Sequence, residues 1–146
     1  VVLDPRAPAS RDALDAAVRA TGSLLLHFAR RTGCALLLPG DRRAVYVEQD
    51  LLAWPQAHVR LALLDDSTGP ALIAAQNRRG LVVFVSARPV DRPPRGLGRT
   101  PGVCLLVTPG ELPGRRAVLE VAGCHGYVGG RTGGAAAVAA VGGSAV

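Results

Sequence analysis

The chain has 146 residues and a formal net charge of +6, and all 17 of its basic side chains are arginine, with no lysine or methionine. That length suits one domain with a single core. With 49% apolar residues but only one Trp, two Tyr and two Phe, the core must be aliphatic. The missing lysine excludes a P-loop lysine, a Schiff-base amine and a Ser-Lys pair within this stretch. The arginines are dispersed and lack aromatic stacking partners, which argues against a nucleic-acid face. Cys34, Cys104 and Cys124 form no CxxC pair, so neither a zinc knuckle nor a disulfide framework is expected. Cys34 and Cys104 sit in apolar strand contexts and are read as small buried hydrophobes. No apolar run is long enough for a membrane span, and no signal peptide is visible.

The chain opens on Val1-Val2-Leu3-Asp4-Pro5-Arg6-Ala7-Pro8, an apolar strand ending in an acidic residue and a loop. Open α/β sheets bind ligands at such strand ends. An opening inside a strand, without an initiator methionine, is read as a fragment of a longer protein. Ser10 is a good N-cap and Asp12 suits the positive end of the helix that follows. Leu14, Ala17, Val18, Thr21, Leu25 and Phe28 recur at helical spacing, Arg30 and Arg31 fit the last turn, and Gly33 ends it. Cys34 to Leu38 is a short buried strand. Pro39 to Arg43 turns it into a second, Ala44 to Val47, which tight turning makes antiparallel.

Further on, Pro55 fits the first turn of a helix running through Val59 and Leu63. Thr68-Gly69-Pro70 opens another short helix that closes at Asn77 to Gly80. Leu81 to Ser86 is the clearest central strand, and a breaker-rich loop spans Ala87 to Pro101. Strands are expected at Val103 to Val107 and Ala117 to Val121. Residues 123–146 are Gly/Ala low complexity, with weak helical character from Ala135 to Val141. This order predicts an α/β fold for residues 1–122. Its form is a doubly wound, mostly parallel sheet with one antiparallel edge strand in a three-layer sandwich. Residues 123–146 are then a short last helix or tail.

No catalytic constellation stands out. His27, His58 and His125 are separated, and Cys124-His125 is a poor chelate because adjacent residues in extended chain point to opposite faces. Ser86 lacks a G-x-S-x-G elbow. The glycine-rich run Gly126 to Gly133 precedes a possible helix and suggests a phosphate cradle, without the P-loop lysine or dinucleotide spacing.

The order strand, long helix, β-hairpin, helical region, central strand and two more strands resembles the von Willebrand factor A fold. Leu14 to Val18, Ala35 to Asp41, Trp54-Pro55 with Arg60 to Leu63, and Ala122 to Cys124 are similar to one bacterial branch, domain of unknown function fifty-eight. The resemblance implies a non-catalytic protein-interaction domain on the cytoplasmic side of a bacterial membrane. It would work with a MoxR-type AAA+ ATPase and be anchored only through segments outside this fragment, which would itself be soluble. It also implies where a metal site would lie, from a D-x-S-x-S motif, a loop threonine and a later aspartate. Asp4 retains the first position, but Arg6 and Pro8 replace the serines, and Ser86-Ala87-Arg88 stands at the later position. Thr68 is a candidate for the loop threonine. No metal and no cofactor are therefore expected. Arg6 and Arg88 should lie together near Asp4 and the Ser10 helix start. Asp4, Arg6, Ser10, Ser86 and Arg88 then form an edge for an acidic partner group or an anion, or an internal ion pair. The alternative function is an anion- or nucleotide-binding α/β domain, possibly enzymatic, using Arg6, Arg88 and Gly126 to Gly133. A purely architectural role is a third reading.

Overall fold

The structure is a computed structural model that describes residues 1–66, 80–94 and 104–129. The helix expected at Thr68, the loop threonine itself and the helical stretch from Ala135 lie outside those residues, as do residues 130–133 of the glycine-rich run. Strand β1 (Val2–Asp4) is followed by helix α1 (Arg11–Thr32). Ser10 Oγ accepts the Ala13 N–H at 3.1 Å, and the Gly33 N–H returns to the Ala29 carbonyl at 3.0 Å. Gly33 adopts φ 76°, and a Cβ there would overlap the Tyr46 hydroxyl, so two independent constraints demand glycine.

Next comes an antiparallel ribbon of β2 (Cys34–Leu36) and β3 (Val45–Val47), then α2 (Trp54–Ala62), whose first turn holds Pro55. The ribbon docks beside β1 in the parallel sense through a Val2–Leu37 bridge. The Leu37 N–H meets the Val1 carbonyl at 2.9 Å, and the Leu3 N–H meets the Leu37 carbonyl at 3.3 Å. Asp41 fastens the ribbon's turn: it accepts the Leu38 N–H at 3.0 Å and pairs with Arg60 of α2.

β4 (Val82–Ser86), β5 (Cys104–Pro109), β6 (Leu119–Val121) and β7 (Cys124–Gly129) complete a five-stranded sheet in the order β1-β4-β5-β7-β6. β1, β4 and β5 are mutually parallel; β7 runs antiparallel to both its neighbours. Four of the five strands thus share a direction, and the chain is α/β with a mostly parallel sheet. The first face buries Leu3, Val83, Val85, Leu105 and Val107 against Leu14, Leu25 and Ala29 of α1 and Ala57 and Leu61 of α2. The second face buries Val2, Phe84, Leu106 and Tyr127 with Leu112. The buried members of both clusters are aliphatic but for Phe84, Tyr127, Cys104 and Cys124, in keeping with the composition.

Three readings of the sequence are corrected. Cys34 is half-buried rather than buried, because it opens the short outer ribbon. The strand that runs against its neighbours in the five-stranded sheet is the interior β7, while the expected antiparallel strand β3 lies in the separate ribbon. Cys124 to Gly129, taken as the start of a low-complexity segment and of a phosphate-cradling turn, is a strand inside the sheet. The boundary expected after Ala122 falls in a hairpin turn, where Ala122 (φ 50°) and Gly123 (φ 80°) take the paired left-handed conformations of a tight two-residue loop. Gly126 is there for packing, because Leu119 on β6 lies over it and a Cβ would sit 2.6 Å from the Leu119 Cγ.

Candidate functional site

The parallel strands β1, β4 and β5 are apolar until a polar residue ends the run: Asp4, Ser86 and Thr108. Register aligns them. Asp4 faces Ser86, the Val85–Val107 pair sets Ser86 opposite Thr108, and Thr108 faces His125, which in turn faces Glu120. Residues directly opposite share a face, so one polar row crosses the sheet at the C-terminal ends of its parallel strands. Sequence reasoning found Asp4 and Ser86 but missed Thr108, although its position at the end of an apolar run was the same signal. The placement of His125 and Glu120 depends on β7, which was not anticipated.

Asp4 is 4% exposed, and Arg6 meets it as a fork. Arg6 Nε donates to Oδ1 at 2.8 Å and Nη2 to Oδ2 at 2.9 Å, while the Arg6 backbone N–H adds a bond to Oδ1 at 3.2 Å. Such bidentate contacts are among the stronger ion pairs. Burial alone pushes the Asp4 carboxyl up. The Arg6 hydrogen bonds and the charges of Arg6 and Arg88 outweigh it and hold the carboxyl below its ordinary range. The same bonds raise Arg6 above its already high value. A divalent cation does not fit this donor set, since both Asp4 oxygens are engaged and two guanidinium groups flank them.

Arg88 is placed differently. Its Nη2 lies 3.8 Å from Asp4 Oδ2, close enough for attraction but beyond hydrogen-bond length. Its backbone, by contrast, is pinned. The Arg88 N–H donates to Ser86 Oγ at 3.2 Å, and Thr108 Oγ1 donates to the Arg88 carbonyl at 3.0 Å. Thr108 Oγ1 also accepts the Val90 N–H at 3.3 Å, and the Ala87 N–H meets the Asp4 carbonyl at 2.9 Å. Ser86 and Thr108 are buried, so their hydroxyls position this loop and are not offered to solvent. Ser10 likewise spends its hydroxyl on capping α1. Of the five edge residues read from the sequence, the structure therefore brings Asp4, Arg6, Ser86 and Arg88 into one cluster. It gives Ser10 a capping role.

The remaining candidates stand apart. Cys124 and His125 point to opposite faces of β7, Cys124 into the core on the first face and His125 along the polar row. His125 Nδ1 is buried and has no hydrogen-bond partner among the described residues. Burial raises the Cys104 thiol to about 11, and it raises Cys124 too, against a smaller opposing effect of Arg19. Neither is poised as a nucleophile. A groove of about 350 Å³ between α1 and α2 is walled by Val18, Gly22, Leu26, Trp54 and Leu61, with Trp54 stacked on His58 at 5.3 Å. A second of about 360 Å³ lies at the other end of the sheet, beside Val1, Phe28 and Tyr46. Neither touches the Asp4–Arg88 cluster. Among the described residues, no helix is long and apolar enough to cross a membrane.

Comparison with known proteins adds no relative: no protein-family model, no curated protein and no solved structure matches the chain.

Proposed function

We propose that this chain is a non-catalytic protein-interaction domain of the von Willebrand factor A type, a doubly wound three-layer sandwich that contacts its partner through the C-terminal edge of the sheet. The observation that carries this reading is the Arg6 fork on Asp4. A buried carboxylate at a parallel-sheet edge is the natural base or cation ligand of such a fold. Here it is held ionised by an internal counter-ion, which removes it from proton transfer and from metal binding while leaving arginine at the rim. The resemblance to domain of unknown function fifty-eight makes a MoxR-type AAA+ ATPase the first partner to test, at the cytoplasmic face of a bacterial membrane. The anion- or nucleotide-binding alternative draws less support, because Gly126 to Gly129 are strand residues.

A photo-crosslinking amino acid at Ala9, which is exposed in the loop after β1, tests the reading against the same probe at Arg30, exposed in the last turn of α1 at the other end of the sheet. Adducts with the purified ATPase from Ala9 and not from Arg30 are expected. Equal adducts from both sites, or none from Ala9 with a partner that co-purifies, would place the contact elsewhere.

A further inference from the structure

Arg6 and Arg88 both lie beside Asp4, yet their guanidinium groups are not equivalent. Arg6 has Nε and Nη2 committed to the carboxylate. Among the described residues, the Arg88 guanidinium makes no hydrogen bond; it has only the 3.8 Å approach to an oxygen that Arg6 already satisfies. Its side chain is 38% exposed. Its backbone is fixed on both sides, through the N–H by Ser86 and through the carbonyl by Thr108. An unspent planar fork on an immobilised backbone is the arrangement that recognition favours, since the backbone part of the ordering cost is already met in the free protein.

From this asymmetry we infer that Arg88 is the contact residue of the edge and that it receives an acidic side chain, Asp or Glu, of a protein partner. Ser86 and Thr108 act as its positioning residues, and Arg6 serves as the internal counter-ion of Asp4. This rests on the interaction-domain reading and adds to it the chemistry of the partner. The local charge chooses between anions. Asp4, Arg6 and Arg88 sum to one positive charge, which a carboxylate balances, whereas a phosphate dianion would leave uncompensated negative charge beside Asp4. The turn that carries exposed Arg42 and Arg43 leaves β2 at the same end of the sheet, because β2 and β1 run in parallel. A partner segment with several acidic residues therefore has further cations within reach.

Fluorescence anisotropy of the full chain with a labelled octaglutamate peptide, at low salt and with octalysine as control, tests the inference. Binding of octaglutamate alone is expected. Arg88→Ala should weaken it by about tenfold or more, the usual weight of a charge-assisted pair. Arg88→Lys should restore only part of the affinity, because the ammonium lacks the fork. Thr108→Val, which keeps the shape but frees the Arg88 carbonyl and the Val90 N–H, should weaken binding with Arg88 still present. If that variant does not fold, the substitutions at half-buried Arg88 decide the matter alone. No binding of octaglutamate, or unchanged affinity in Arg88→Ala, overturns the inference. Displacement of the peptide by inorganic phosphate more readily than by free glutamate overturns the choice of carboxylate. The Ala9 crosslink distinguishes the two levels: adducts at Ala9 without octaglutamate binding would leave the edge as the contact surface but refute this chemistry.

Discussion

Replacing Arg6 by alanine removes the fork from Asp4 and leaves a buried carboxylate with the Arg6 backbone N–H and the distant Arg88 as its remaining support. Stripping a fully buried ion of its partner costs about 3–5 kcal/mol, and an exposed pair is worth about 1 kcal/mol or less. Here the carboxylate side chain is 6% exposed but the guanidinium 41%, so water screens one half of the pair. Arg88 can also swing inward to compensate. About 2 kcal/mol is the reasonable loss near neutral pH, or roughly 6 °C in Tm for a domain of this size. The loss must depend on pH. The folded-state carboxyl titrates below its ordinary value of 3.8, so the pair contributes fully above that value and ceases to contribute as the pH falls through the lower, folded-state one. Without Arg6, burial dominates and the carboxyl moves upward, so the mutant's penalty is also relieved in acid. Urea denaturation of wild type and Arg6→Ala, followed by far-UV circular dichroism near pH 7 and again near pH 3, should show a gap that narrows at the lower pH. A gap of the same size at both pH values, or one below about 0.5 kcal/mol near pH 7, would refute the account of Asp4 as a carboxylate held ionised by Arg6.

Two further outcomes follow from the packing. Gly126→Ala should destabilise the protein by about 1–2 kcal/mol, since the new Cβ must push back a partly buried Leu119, and Leu119→Ala in the same chain should recover part of that loss in a denaturation series. Alkylation under native conditions near pH 8 should modify half-buried Cys34 first, because a thiol near 11 such as Cys104 supplies only about one thiolate in a thousand there; mass spectrometry showing Cys104 labelled as fast as Cys34 would contradict the buried placement of β5.

What the sequence disclosed was chiefly what neighbours in the chain determine. Ser10, Arg30, Arg31 and Gly33 delimit α1 by local capping chemistry, and Pro55 marks the start of α2 for the same reason. Asp4 and Arg6 are two residues apart, and the proximity of Arg88 follows once β1 and β4 are adjacent parallel strands. β7 was hidden because Gly126 answers a requirement set by Leu119, seven residues earlier and across a hairpin. Read without that partner, Gly126 and Gly129 look like loop residues. Thr108 was missed as a positioning residue because its bonds to Arg88 and Val90 span some twenty residues and depend on strand register. The different duties of Arg6 and Arg88 were likewise beyond the sequence, since the two differ only in how far each guanidinium reaches.

The reversed course of β7 has one more effect. Because it runs against β5, Gly129 pairs with Cys104, and Cys104 with Val82, so β7 ends at the pole where β1, β4 and β5 begin. The amino group of Val1, bonded to the Ala35 carbonyl, sits at that pole as well. A protein grafted to a surface by its amino terminus would therefore hold Arg88 outward toward whatever approaches.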